Sequence, residues 1–214
     1  MGPAKLWPDP EPDTYLQERC LRQKGYKWIA GLDEVGRGPL AGPVVAAAVI
    51  LREDPDNSCY VDSKTISAAE RVLLCEKLRH SGAVIGIGIV SEADIDRLNI
   101  LQASLLAMKK AVLAMPLQPD FLLVDGNHSV PMTIPQETLV KGESKSCSIA
   151  AASIIAKVAR DNMMDQYHRQ YPLYNFQQNR GYPTLEHREA IRVYGPCEIH
   201  RQSFKGVREY LPEA

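Results

Sequence analysis

Residues 44–51, VVAAAVIL, are apolar at every position. The run is too short to span a bilayer. It reads as a buried strand, with Pro43 at its start, where a missing amide hydrogen is tolerated. Just upstream, KWIAGLD reads as another strand, and it ends in Asp33 with Glu34 directly after it. The stretch GLDEVGRGPLAGPVVAAAVIL therefore sets two mutually repelling carboxylates between two apolar segments, and something positive must meet them.

The rest of the chain alternates. DTYLQERCLRQKG fits a short helix capped by Asp13 and closed by Gly25. SAAE at 67–70 has the form of a capping box opening a helix to about His80. AVIGIGIV, 83–90, reads as a strand whose interleaved glycines suit close packing. SEAD starts a short helix at 91, and residues 99–115 form a helix capped by Asn99 and stopped by Pro116. PDFLLVD is a strand ending at Asp125, and TLVK, 138–141, is a fifth. CSIAAASIIAKVARDNMMDQYHRQY is a long helix with an Ala-rich face, ended by Pro172. TLEHREAIRVYG is a last helix between Thr184 and Gly195. After the opening helix the order is β-β-α-β-α-α-β-β-α-α, which predicts an α/β fold: a central mixed sheet flanked by helices, with a helical C-terminal subregion. One domain is expected, divided into a tail and helix (1–27), a core (28–170) and a C-terminal helical subregion completing a groove (171–214).

The opening residues MGPAKLWPDPEPD lack the apolar centre of a signal peptide. Five cysteines without a CxxC pair fit reduced thiols rather than a disulfide framework or a zinc site. A cytoplasmic location and no membrane partner are expected. The net charge of −1 supplies no bulk attraction for polyanions, but residues 141–214 carry 11 Lys and Arg against 8 Asp and Glu. That basic third could meet phosphates.

Two strands end in acid, at Asp33 and Asp125. In layered α/β folds strand ends open onto the ligand crevice. Neighbouring carboxylates there raise each other's pKa unless a cation intervenes, and Mg²⁺ suits such oxygen donors. Glu34 can join only if the strand ends or bends beside it, which Gly31, Gly36 and Gly38 would make cheap. Glu143, in KGES before the long helix, is a fourth candidate, ionised more easily near a helix N-terminus. Taken singly, each acid could equally be a turn or capping residue.

GLDEVGRGPLAGPVVAAAVIL closely resembles the first motif of type 2 ribonucleases H, specifically bacterial ribonuclease HII. DSK at 62–64, LLVDGNH at 122–128, KGESKSCSIAAASIIAKVARD at 141–161, NRGYPTLEH at 179–187 and HRQSF at 200–204 match later motifs in order. The resemblance implies an RNase H-like fold and cleavage of the RNA strand of RNA–DNA hybrids. It also implies nicking of duplex DNA 5′ of a single embedded ribonucleotide, leaving 3′-hydroxyl and 5′-phosphate ends. The implied catalytic and metal-binding residues are Asp33, Glu34, Asp125 and Glu143, holding two Mg²⁺ or Mn²⁺ ions. The chain departs from the family at 143, where aspartate is usual; the longer side chain could shift an ion or alter the preference between Mg²⁺ and Mn²⁺. Asp161 competes for the fourth place but fits a helix-surface acid better.

By the same resemblance, Gly36, Arg37 and Gly38 would sense the 2′-hydroxyl, since bare glycines let the backbone approach the sugar. Tyr182 would stack beside the RNA–DNA junction, and Lys64, Lys145 and Arg180 would contact phosphates. His128 and His187 are assigned no role. The expected partner is an RNA–DNA hybrid or ribonucleotide-containing duplex, bound by a monomer. Ribonuclease HIII is the rival within the class; its members carry an extra N-terminal substrate-binding domain and another residue in place of Arg37. A non-catalytic hybrid-binding module, inactive through Glu143, is the rival from another class, and metal-dependent turnover separates the two.

Overall fold

The computed structural model describes residues 13–52 and 66–211. Five strands form one mixed sheet: β1 (Ile29–Val35), β2 (Val44–Ile50), β3 (Val84–Val90), β4 (Phe121–Asp125) and β5 (Gln136–Leu139), in the order β3-β2-β1-β4-β5. β1 runs antiparallel to β2 and parallel to β4; β2–β3 is antiparallel and β4–β5 parallel. The fold expectation is met. Every residue of β2 is buried, as its unbroken apolar run requires.

One face of the sheet carries α4 (Ile100–Leu113). Its Ala103, Ala107 and Ala111 pack with Ala30, Leu32, Ala46 and Ala48. The glycines of β3 serve this contact: a methyl at Gly86 or Gly88 would lie 2.1 or 2.0 Å from the carbonyl oxygens of Ala111 and Ala107. Asn99 caps α4, its Oδ1 accepting the Leu101 and Gln102 amides. The short α3 (Glu92–Leu98) precedes it, capped by Ser91.

The other face carries α5 (Cys147–Gln170), whose Ala150, Ala151, Ile154 and Ile155 pack on Ala47 and Val49. Gly31 does not bend β1. It admits α5, since a methyl there would fall 2.1 Å from the Ser148 carbonyl carbon. α2 (Ala68–His80) covers α5, and its capping box is present: Ser67 Oγ accepts the Glu70 amide and Glu70 accepts the Ser67 amide. α1 (Leu16–Gln23) starts two residues later than Asp13 as N-cap would give: Tyr15 holds the N-cap position, and Asp13 sits in the preceding turn, where its carboxylate accepts the Tyr15 amide and pairs with Arg19.

The anion expected at the start of α5 is supplied by another residue. Buried Glu18, on α1, accepts from Ser146 Oγ at 2.6 Å, Ser148 Oγ at 2.7 Å and the Ser148 amide at 3.0 Å. Glu143 lies one step earlier, in a 3₁₀ turn over Gly142–Ser144. β5 is shifted to QETL, because Lys141 turns into the left-handed region at φ +57° and directs the chain towards the end of β4.

Beyond α5 the chain makes a 3₁₀ turn (Pro172–Tyr174), a four-residue α6 (Phe176–Asn179) and α7 (Leu185–Tyr194). This segment has an apolar cluster of its own: Leu40 and Ala41 from the β1–β2 loop, Met164 from α5, and Tyr174, Phe176, Ile191, Ile199 and Val207.

Candidate active site

The register of β1 and β4 ends at Leu32↔Val124. One residue further, Asp33 and Asp125 stand side by side where the pairing of the two parallel strands ends, on the face that α5 covers. Asp33 is 7% exposed and interacts with Ser153 of α5. Its Oδ1 accepts the Glu34 amide at 2.7 Å. Asp125 Oδ1 accepts the Gly142 amide at 2.7 Å. A methyl at Gly142 would come within 3.1 Å of that same oxygen, so glycine is what brings the turn carrying Glu143 against Asp125.

Glu34 reaches the site differently. β1 continues to Val35, so the two adjacent acids point to opposite faces as on any flat strand. Glu34 emerges on the α4 side, in a small recess with Leu101, Ser104, Met108, Asp125 and His128. Both acids still line one open cleft of ≈ 270 Å³ with Asp125, Ser153, Lys157, Arg71 and Tyr182, because they approach the end of the sheet from its two faces. The bend follows them, at Gly36 with φ +100°.

The electrostatics are those of a crowded acid cluster that Arg37 offsets only in part. Burial, then the charges of Glu34, Asp125 and Glu143, push the Asp33 carboxyl well above the usual range, with Ser153 opposing. Burial raises Glu34 as well, and Arg37, 3.1 Å from its Oε1, opposes that rise. Among the described residues, no three His, Cys, Asp or Glu side chains already stand close enough to cage an ion. Glu34 is turned to Arg37, and Asp125 to the Gly142 amide. The donor set nevertheless fits a hard divalent cation: Asp33, Glu34 and Asp125 line one cleft, Glu143 stands outside that lining on the adjoining turn and acts on Asp33 through its charge, and oxygen is the ligand such an ion prefers.

The remaining candidates divide. Arg37 is half exposed beside Glu34, and a methyl at Gly38 would come within 3.6 Å of the Tyr182 ring, so the GRG segment and Tyr182 form one wall. Tyr182 is 40% exposed. Lys145 is exposed beyond Glu143. Arg180 is drawn to α5, where its Nη1 binds Asp165 and donates to the Asp161 carbonyl at 3.1 Å. Asp161 itself pairs with Lys157 at 2.7 Å, as a helix-surface acid would. Lys64 and its DSK motif lie outside the described residues. His128 is exposed and His187 fully buried.

Sequence reasoning missed what holds the GRG loop. Arg160 and Arg201 are both 0% exposed. Arg160 donates to the carbonyls of Pro43 (3.0 Å), Ala41 (3.1 Å) and Arg180 (2.9 Å). Arg201 donates to Gly36 (2.6 Å), Gly42 (2.7 Å) and Arg37 (3.1 Å). A methyl at Gly36 would strike Arg160 Nε at 2.4 Å. Two members of the C-terminal basic surplus are thus internal ties and do not face a groove. Ser153 and Lys157 were also missed, though their spacing of four along α5 puts both on one face of it.

Comparison with known proteins identifies relatives of the chain and of its fold. The family model described as Ribonuclease HII matches residues 30–207. The ribonuclease HII of Desulfotalea psychrophila is 57% identical over 202 residues, covering 93% of this chain and 90% of that one. The crystal structure of the ribonuclease H2 from Pyrococcus horikoshii superposes with a TM-score of 0.71 at 25% identity, over 86% of this chain and 97% of that one. The structure of Bst-RNase HIII in complex with Mn²⁺ matches with a TM-score of 0.69 at 20% identity, over 97% of this chain and 75% of that one.

Proposed function

The chain belongs to the ribonuclease HII family, an endonuclease of the RNA strand in RNA–DNA hybrids, and from that premise we propose that it also nicks duplex DNA on the 5′ side of a single embedded ribonucleotide. The observation that carries this reading is the shared cleft, in which Asp33, Glu34 and Asp125 sit opposite the wall made by Gly38 and Tyr182.

Asp33 and Asp125 would hold divalent cations from the α5 face of the sheet, Glu34 from the α4 face, and Glu143 from the turn that Gly142 presses onto Asp125. Two such ions, Mg²⁺ or Mn²⁺, would activate the attacking water and stabilise the leaving 3′-oxygen. The protein's own part is to keep four acids near one another despite their repulsion, so that an incoming cation relieves the charge that raises Asp33. Arg37 holds Glu34 on the α4 side of the strand. The tied backbone of Gly36-Arg37-Gly38 offers main-chain groups to the sugar, where a 2′-hydroxyl can be recognised. Tyr182 lays its ring beside that strip, at the height where a base pair next to the ribonucleotide would stack. Lys157, Arg71 and Lys145 supply positive charge around the cleft for the neighbouring phosphates.

The test is a duplex carrying one ribonucleotide, incubated with Mg²⁺ and Mn²⁺ separately. The expected product is a nick 5′ to the ribonucleotide with 3′-hydroxyl and 5′-phosphate ends. Cleavage of long hybrids with no nick in this substrate under either ion would overturn the proposal.

A further inference from the structure

Behind Tyr182 lies a buried histidine pair that the chemistry above does not use. His187 is 0% and His200 1% exposed, and their Nε2 atoms are 3.1 Å apart. Two ring nitrogens at that distance need one proton between them, so the pair must be ordered. The ends decide how. The Cys197 amide donates to His200 Nδ1 at 2.9 Å, which leaves the His200 proton on Nε2. His200 Nε2–H then donates to His187 Nε2, and the His187 proton is left on Nδ1, from which it donates to the Tyr182 carbonyl at 2.9 Å. The opposite arrangement would aim His200 Nδ1–H at the Cys197 amide and a His187 lone pair at the Tyr182 oxygen, two repulsive contacts for the sake of a longer 3.3 Å bond to the Cys197 carbonyl.

We infer that His187 and His200 are positioning residues: one directed line of hydrogen bonds from Cys197 through both rings fixes the Tyr182 peptide, and with it the ring offered to substrate. The inference rests on the reading of Tyr182 as a substrate contact.

Geometry supports it at the receiving end. The Tyr182 carbonyl also accepts the Thr184 amide at 2.8 Å, and the Tyr182 amide donates to the Asn179 carbonyl at 2.8 Å. Both sides of the peptide are held, so the direction of its Cα–Cβ bond is set. The rings themselves cannot swing: Phe176 meets His187 edge-on at 5.4 Å, and Tyr174 meets His200 at 4.9 Å. Burial lowers both imidazoles, and the neighbouring His187 helps bring His200 to about 4, so both stay neutral and the line keeps its direction near neutral pH. Buried apolar side chains could fill the same space with less desolvation cost. What histidine adds is orientation at a residue whose other end is in the cleft.

The experiment is a set of steady-state and melting measurements on the full chain, with the single-ribonucleotide duplex as substrate. Tyr182→Ala should raise KM, and His187→Leu should raise it about 10-fold with a smaller change in kcat. His187→Asn, which keeps an amide donor at the Nδ1 position, should recover most of that loss. In the Tyr182→Ala background, His187→Leu should add less than about twofold, because both changes act through one group. A fully additive penalty in that background, or a folded His187→Leu with wild-type KM while Tyr182→Ala is impaired, overturns the inference alone. Tyr182→Ala with unchanged KM overturns the substrate-contact reading, and the inference with it. Should His187→Leu not fold, His200→Asn keeps the Cys197 bond and cuts the line at its centre. It is expected to raise KM about threefold, and a folded variant without that rise sinks the idea.

Discussion

The acid cleft and the buried layer of arginines and histidines behind it share the same few loops, yet they treat charge in opposite ways. In the cleft, Asp33 and Glu34 are partly desolvated beside other acids, and each is less comfortable ionised than it would be in water. In the layer, every side-chain hydrogen bond described for Arg160 and Arg201 ends on a backbone carbonyl, and the histidine line is closed at both ends. The difference teaches where this molecule spends stability: neutral carbonyls and paired rings hold the walls still, while acids held close to one another at the mouth keep Asp33 and Glu34 harder to ionise.

The sharpest way to break the comparison is Asp33→Asn. Activity should fall on the order of 10³-fold, as when a group stabilising the transition state is lost. The metal-free protein should meanwhile melt about 2–4 °C higher, since a repelled buried charge is gone. Turnover assays and thermal melts on one preparation check both signs; a variant that is inactive and also less stable would refute the idea of a strained cleft. Arg201→Met tests the other region. It leaves the Gly36, Arg37 and Gly42 carbonyls without their donor and should cost about 3–5 kcal/mol, read by urea unfolding, with nicking impaired through the loosened GRG loop.

The pH dependence of stability separates the two regions without mutation. His200 titrates near 4 when folded, below the ordinary histidine value of 6.5, so the unfolded chain binds that proton first. Its contribution is complete above about pH 6.5 and is lost as the pH falls towards 4, roughly 3 kcal/mol in all. His187, Cys197 and Tyr174 face it, and of these only His187 shares the window; it is lowered too, with Glu186 and Arg188 acting on it in opposite senses. Asp33 and Glu34 run the other way. Their raised values mean that stability is complete below the ordinary carboxylate range and is lost as the pH rises through the folded values. Unfolding in chelator should therefore show two opposing slopes: stability rising with pH between about 4 and 6.5, which His200→Asn flattens, and stability falling with pH from the ordinary carboxylate range upward, which Asp33→Asn flattens. The smallest effect is expected of Glu143→Asp: activity within about tenfold of wild type, with a changed ratio of rates in Mg²⁺ and Mn²⁺, measured by titrating each ion.

How much of this the sequence disclosed follows the range of the forces involved. Local signals were legible. The Ser67/Glu70 box and the Asn99 cap each carry their reason within a few residues, and the glycines of β3 advertised a close neighbour without saying that it is α4. Asp33 and Asp125 were legible as acids closing apolar runs, and the structure brings them side by side, although only Asp125 ends its strand and β1 continues to Val35. The fate of Glu34 was not, because whether a strand bends depends on α4 and α5, which are distant in the chain. The buried arginines were invisible for a related reason. A basic residue at 160 or 201 looks like surface until the loop whose carbonyls it meets is folded over it, 117 residues away for the bond from Arg160 to Pro43 and 159 for the bond from Arg201 to Gly42. Glu18 likewise takes the place at the start of α5 that spacing alone would offer to Glu143.

The bare backbone at Gly31 makes the thickness of the protein a functional dimension. With no side chain at 31, the backbone of α5 at Ser148 and Ile149 comes down onto β1, and Ser153 and Lys157 are carried to the level of Asp33. Alanine at 31 would act as a shim, lifting the helix and widening the notch without altering any side chain that lines it.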